Sequence, residues 1–228
     1  MNAFNTVFLS LMGGVLPALF WLWFWLKEDR LHPEPRSKII IVFLCGMASV
    51  FLVLPIEKFI FTATLPGISL ITVLLWAGTE ELFKYAVAYW SALKYKEMDE
   101  PIDAVIYMIT AALGFSALEN ALFLSNLIDL GLVSDSIITG NSRFLGATLL
   151  HIASSASVGV MIGLAYYKKS WLKKIFLFTG LGLAIALHTI FNLLIIKFGS
   201  DTFLVFTGVW ILIIFLIVLL EKVKNINH

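Results

Sequence analysis

The chain has 228 residues, 60% of them hydrophobic and 14% charged, and its sixteen basic and fifteen acidic side chains leave a formal charge of +1. A soluble domain is about 45–50% apolar and about 25% charged, and one core of this size cannot hide the excess, so lipid is the solvent for most of the chain. The charge balance gives a nucleic-acid partner no footing, and a lone cysteine, Cys45, excludes a disulfide framework and a cysteine metal cluster.

A helix needs about 20 largely apolar residues to span a bilayer. In chain order such stretches fall at 4–26, 39–61, 68–93, 102–128, 143–167, 174–197 and 202–220. Helices satisfy every backbone polar group in hydrocarbon, so the expected fold is all-α: a polytopic membrane bundle of seven transmembrane helices in a single domain, 1–228. The first stretch lacks the basic start and small-residue cleavage site of a signal peptide. Its Trp21, Trp23 and Trp25 suit an interfacial belt, so it is read as a permanent helix. The longest expected loops are the Pro-containing 27–38 and the polar 129–142. Basic residues set the orientation. Lys27, Arg30, Arg36, Lys38, Lys94, Lys96, Lys168, Lys169, Lys173, Lys174, Lys222 and Lys224 fall on one side, against Lys58, Arg143 and Lys197 on the other. The N-terminus is therefore expected outside and the C-terminus inside.

Ionisable groups within spans are expensive, face the bundle interior and mark function. Glu80, Glu81 and Lys84 lie in the third span, Glu119 with Asn120 in the fourth, His151 in the fifth, and His188 with Asn192 in the sixth. At the helical rise, Glu80 lies about 18 Å from the outer end of its span, Glu119 and His188 about 14 Å, and His151 about 12 Å. Antiparallel helices thus bring their polar residues to one layer. Lys84 is placed at i,i+4 from Glu80 and i,i+3 from Glu81, within reach of either, and the two carboxylates point about 100° apart. Carboxylates, two imidazoles and an amide in a partly dry cavity are the parts for activating water and holding an oxyanion.

Other features read as structure. Gly159 and Gly163 have the spacing of a helix-packing motif, Glu57-Lys58 reads as an interfacial pair, and Ser154, Ser155 and Ser157 lack a nucleophile elbow and can bond back to their own helix. Without H-E-x-x-H a site-two type zinc protease is not expected, and with no aspartate in the middle of a span the dyad of a two-aspartate protease has no members.

At these residues the sequence resembles the PrsW family of intramembrane proteases. Glu80-Glu81-Leu82-Phe83-Lys84 matches its EExxK motif, Gly114-Phe115-Ser116-Ala117-Leu118-Glu119-Asn120 its GFxxxEN segment, and His188-Thr189-Ile190-Phe191-Asn192 its HxxxN, with His151 alone in the span between. Asp103 through Tyr107 and Glu34-Pro35 are weaker likenesses. The resemblance implies a multi-pass protease distantly related to the CAAX prenyl proteases, with a site-one type substrate: a single-span membrane protein, by analogy an anti-sigma factor, cut in the outer half of a bacterial cytoplasmic membrane. A Glu stands at 119 where the CAAX-type pattern has a His.

The expected activity is an intramembrane endopeptidase of the glutamic type with no cofactor. Glu80 or Glu81 is the base, Glu80 being favoured by the resemblance. His151 and Glu119 orient the water, His188 and Asn192 hold the oxyanion, Lys84 fixes the second Glu, and Asn120 supports. Two readings stay open beside it. The same Glu/His cluster supplies enough ligands for a catalytic zinc, and intramembrane carboxylates and histidines also serve proton-coupled transporters.

Overall fold

A computed structural model describes residues 3–29, 32–64, 66–198 and 202–226; Arg30, counted above for orientation, lies outside them. Helices follow one another as α1 (Ala3–Leu26), α2 (Arg36–Ala63), α3 (Leu70–Ala88), α4 (Asp103–Asp129), α5 (Val133–Ser142), α6 (Thr148–Leu164), α7 (Ser170–Phe198) and α8 (Thr202–Lys224), and no strand occurs among the described residues. Two π-turns, Tyr89–Leu93 after α3 and Arg143–Ala147 between α5 and α6, continue their helices.

Among the described residues six helical stretches are long and apolar enough to cross a membrane: Phe4–Asp29, Arg36–Ala63, Asp103–Asp129, Val133–Leu164, Ser170–Lys197 and Val205–Lys224. The third expected span, α3, is not among them, because it carries Glu80, Glu81 and Lys84. Large apolar side chains such as Phe51, Phe59, Phe178 and Ile214 point outward, as they do where lipid is the solvent.

Local signals explain most boundaries. Ser69 caps α3, its Oγ accepting from Thr72 N while Thr72 Oγ1 accepts from Ser69 N, a reciprocal capping box. The expected loop 129–142 is mostly helical, contrary to its polar sequence. Gly131, at φ +78°, ends α4 in a Schellman turn, with Leu132 N donating to Leu127 O and Gly131 N to Ile128 O. The chain thus reverses in a few residues, and helix resumes at Val133.

α4 is the central post. From Asp103 to Ala121 every residue is buried except the partly exposed Glu119. Small residues let its neighbours approach: Gly114 backs onto the α2 backbone at Phe43, and a Cβ on Gly159 of α6 would stand 2.6 Å from Val105 Cα. Packing at Gly159 and Gly163 is as expected from their spacing. This post carries Glu119 and Asn120; α3 and α6 pack against it, and α7 packs on α3 and α6, with the other polar residues.

Candidate active site

The intramembrane polar residues of α3, α4, α6 and α7 meet. Glu81 is fully buried and takes four hydrogen bonds. Its Oε1 accepts from Lys84 Nζ at 2.9 Å, Ser154 Oγ at 2.9 Å and His188 Nδ1 at 2.8 Å, and its Oε2 accepts from Ser155 Oγ at 2.9 Å. A carboxylate so satisfied in a low-dielectric interior is a fixed anion, because each donor stabilises its charge.

Lys84 is also fully buried, with its ammonium 4.6 Å from the Phe115 ring centroid. Its three hydrogens go to Glu81 Oε1, to Glu80 Oε2 at 3.2 Å and to His151 Nδ1 at 2.7 Å. An ammonium only donates, so His151 Nδ1 accepts and the proton of the neutral ring sits on Nε2. That nitrogen lies 3.1 Å from Glu119 Oε2, to which it donates. Both nitrogens of His151 are engaged.

The same reasoning fixes His188. Glu81 only accepts, so Nδ1 carries a proton, and the other ring nitrogen is Nε2. It faces Glu80 Oε1 at 3.8 Å. Glu80 itself is 5% exposed, and its carboxylate turns to a cavity of about 680 Å³ whose wall also includes Glu119, His151, His188, Asn192 and Arg143. Glu81 is absent from that wall. The two neighbouring carboxylates therefore differ: Glu80 fronts the cavity and Glu81 lies behind it.

Glu119 is held from the far side by Arg143, whose Nη2 donates to Glu119 Oε2 at 2.6 Å and whose Nε donates to Asn120 Oδ1. Asn120 in turn donates to Ser116 Oγ and Thr148 Oγ1. Asn120 is thus a brace for Arg143. Asn192, expected beside His188, is half-buried on the cavity wall.

Sequence reasoning missed several members. Arg143 was read only as a basic residue at the outer membrane face, because its approach depends on the π-turn that starts there. Ser154 and Ser155 were expected to bond back to their helix; only Ser157 does so alone, while Ser154 bonds both His151 O and Glu81, and Ser155 bonds Glu81. Their presence beside a charged span was the available signal. Glu57, read as half of an interfacial pair, lines the same cavity as Glu80.

One ligand atom from each of Glu80, His151 and His188 lies within 4.8 Å of the other two, so this cluster also has the composition of a metal site. Comparison with known proteins gives the family. A model of the PrsW family, described as intramembrane metalloproteases, matches residues 34–220. A protein named Protease PrsW from Halalkalibacterium halodurans is 26% identical over 233 residues, covering 97% of this chain and 99% of its own. One of the same name from Oceanobacillus iheyensis is 29% identical over 231 residues, 96% of each chain. Another from Bacillus subtilis is 25% identical over 158 residues, 69% of this chain and 67% of its own. No solved structure matches the chain.

Proposed function

Because the chain belongs to the PrsW family of intramembrane proteases, and so is a multi-pass membrane peptidase, we propose that it hydrolyses a peptide bond of a single-span membrane protein by glutamic-type catalysis, with Glu80 as general base. The transporter reading is dropped with the family assignment. The observation that carries the mechanism is the approach of Glu80 Oε1 and His188 Nε2 to 3.8 Å on the cavity wall. One water donating to both is held with its lone pairs toward the cavity, the arrangement a general base requires.

In this mechanism Glu80 takes the proton of the attacking water and hands it to the leaving amine. Glu81 fixes the tautomer of His188, which serves as a second acceptor for the water. In this mechanism the Nδ1–H of His188 is spent on Glu81 and Nε2 accepts from the water, so His188 is not assigned the oxyanion. Asn192 remains as the amide donor on the cavity wall, where such a contact is worth about 2.7–4 kcal/mol of barrier. Lys84 balances Glu80 and Glu81, and the chain from Arg143 through Glu119 to His151 holds Lys84 in place.

The description of the family as metalloproteases gives the cluster a second reading, and the residues fit it. A carboxylate and two imidazoles form a recurrent catalytic zinc set, and Glu81 stands to His188 as outer carboxylates stand to zinc-bound imidazoles. Glu80, His151 and His188 would hold the ion, which would supply a bound water of lowered pKa. The metal-free reading is preferred because Lys84 and Glu119 engage both nitrogens of His151. The orientation expected from the basic residues would put the cut in the outer half of a bacterial cytoplasmic membrane. An anti-sigma-factor-like substrate rests on the family resemblance.

The test is cleavage of a single-span substrate by the purified protein, with metal content measured on the same preparation. Glutamic catalysis predicts that strong chelators leave the rate unchanged and that zinc is substoichiometric. Zinc at one per chain, lost together with activity and restored with it, would transfer the mechanism to the metal reading.

A further inference from the structure

A second group of carboxyls gathers at the other end of the central post, sixteen residues from Glu119 along α4, or about 24 Å by helical rise. Asp29 comes from the 3-10 turn Lys27–Asp29 that closes α1, Glu34 from the segment before α2, Glu100 from the turn before α4, and Asp103 from the first position of α4. Asp29, Glu34 and Asp103 are 5%, 9% and 1% exposed. Nothing in the proposed hydrolysis uses them.

Their partners are few. Asp103 Oδ2 accepts from the backbone N of Asp99 and of Glu100, Tyr107 donates its hydroxyl to Glu34, and Glu100 Oε1 pairs with the exposed His32 at 2.6 Å. Among the described residues no lysine or arginine forms an ion pair with any of the four. Burial, together with the Asp103 and Asp29 carboxylates, pushes the Glu34 carboxyl up to about 8 against the pull of the Tyr107 hydrogen bond. Asp29 is a separate anomaly, because its Oδ2 is buried and has no hydrogen-bond partner among the described residues. A buried oxygen left so costs about 1–3 kcal/mol, more when charged, and calls for an unseen partner.

We propose that Asp29, Glu100 and Asp103 form a binding site for a hard divalent cation, Ca²⁺ or Mg²⁺, that staples the end of α1 to the start of α4. One oxygen from each lies within 4.8 Å of the other two. Three oxygens no more than 4.8 Å apart share a centre within about 2.8 Å of each, near the 2.3–2.6 Å of calcium ligands and further from the 2.0–2.1 Å of magnesium ligands. A small closure of the cluster therefore suits Ca²⁺, and a larger one Mg²⁺. The all-oxygen ligand set selects these ions over zinc. The cation supplies both the missing partner of Asp29 and the missing positive charge. It couples α1 to the helix that carries Glu119.

The experiment uses the full chain, purified in detergent and stripped with chelator. Thermal unfolding is followed while CaCl₂ or MgCl₂ is titrated, with direct calcium binding measured by calorimetry. The wild type is expected to gain about 5–10 °C at a hundredfold excess over Kd, saturably, with one ion bound per chain. Asp29→Asn and Glu100→Gln should each abolish the shift and the binding heat; Glu100 is half-exposed, so its variant tests the site without threatening the fold. Glu80→Gln should keep both. No shift with either ion, a shift retained by Asp29→Asn, or a shift lost in Glu80→Gln overturns the proposal; the last would place the ion in the catalytic cluster.

Discussion

Glu81 and Glu80 are neighbours in sequence and opposites in environment, which makes the glutamine substitution at 81 informative. The Glu81 carboxylate accepts from Lys84, Ser154, His188 and Ser155 at 2.8–2.9 Å with no exposure to solvent. Glutamine keeps the shape but removes the charge, and its amide nitrogen must face at least one of those donors. Breaking a buried ion pair from one side costs about 3–5 kcal/mol. At about 2–4 °C per kcal/mol for a chain of this size, Glu81→Gln should lower Tm by about 6–20 °C, read by tryptophan fluorescence in detergent micelles. Glu80→Gln, which gives up a single 3.2 Å bond to Lys84 at the cavity wall, should lose clearly less. If Glu81→Gln melts like the wild type, or if Glu80→Gln melts lower, the division between a buried anchor and a cavity-facing base is wrong.

Arg143→Gln should reduce cleavage about 10²-fold, the scale of a misplaced reacting group, because Glu119 then holds His151 without its own restraint; Arg143→Lys should recover only part, lacking the two-pronged grip on Glu119 and Asn120. Ser155→Ala removes one charge-assisted hydrogen bond to Glu81 and should cost about 1.5–3 kcal/mol in unfolding, and an unchanged Tm would contradict the role given to that hydroxyl. Gly159→Ala forces a methyl against the α4 backbone at Val105 and should destabilise by about 1–3 kcal/mol. Gly182→Ala meets nothing within 4 Å and should be neutral or stabilise by up to about 1 kcal/mol, so equal losses at the two glycines would refute the packing described for α6 on α4.

The all-helical bundle was legible because hydrocarbon leaves the backbone few choices and the apolar runs are long. The meeting of Glu80, Glu81, Lys84, Glu119, His151 and His188 was legible for a related reason: polar side chains in spans turn inward, and comparable depths on antiparallel helices bring them together. What the sequence could not decide was which way the helix is turned through the roughly 100° that separates Glu80 from Glu81. That rotation follows from the packing of α3 on α6, where Ser154 and Ser155 claim Glu81. Arg143 escaped notice because a π-turn has no pattern of its own, and 129–142 read as a loop because its polar residues masked a helix restarted by Gly131. The proton positions on His151 and His188 required actual partners, since an isolated imidazole does not declare its tautomer.

The central claim is that the Glu80 carboxylate activates the water. The direct measurement is the single-turnover cleavage rate of a reconstituted single-span substrate by Glu80→Gln and the wild type, each first shown to be folded by its melting curve. The account predicts a folded Glu80→Gln protein that binds the substrate and cleaves it about 10²–10⁴-fold more slowly, the usual contribution of a general base. A rate within a few-fold of the wild type would contradict it.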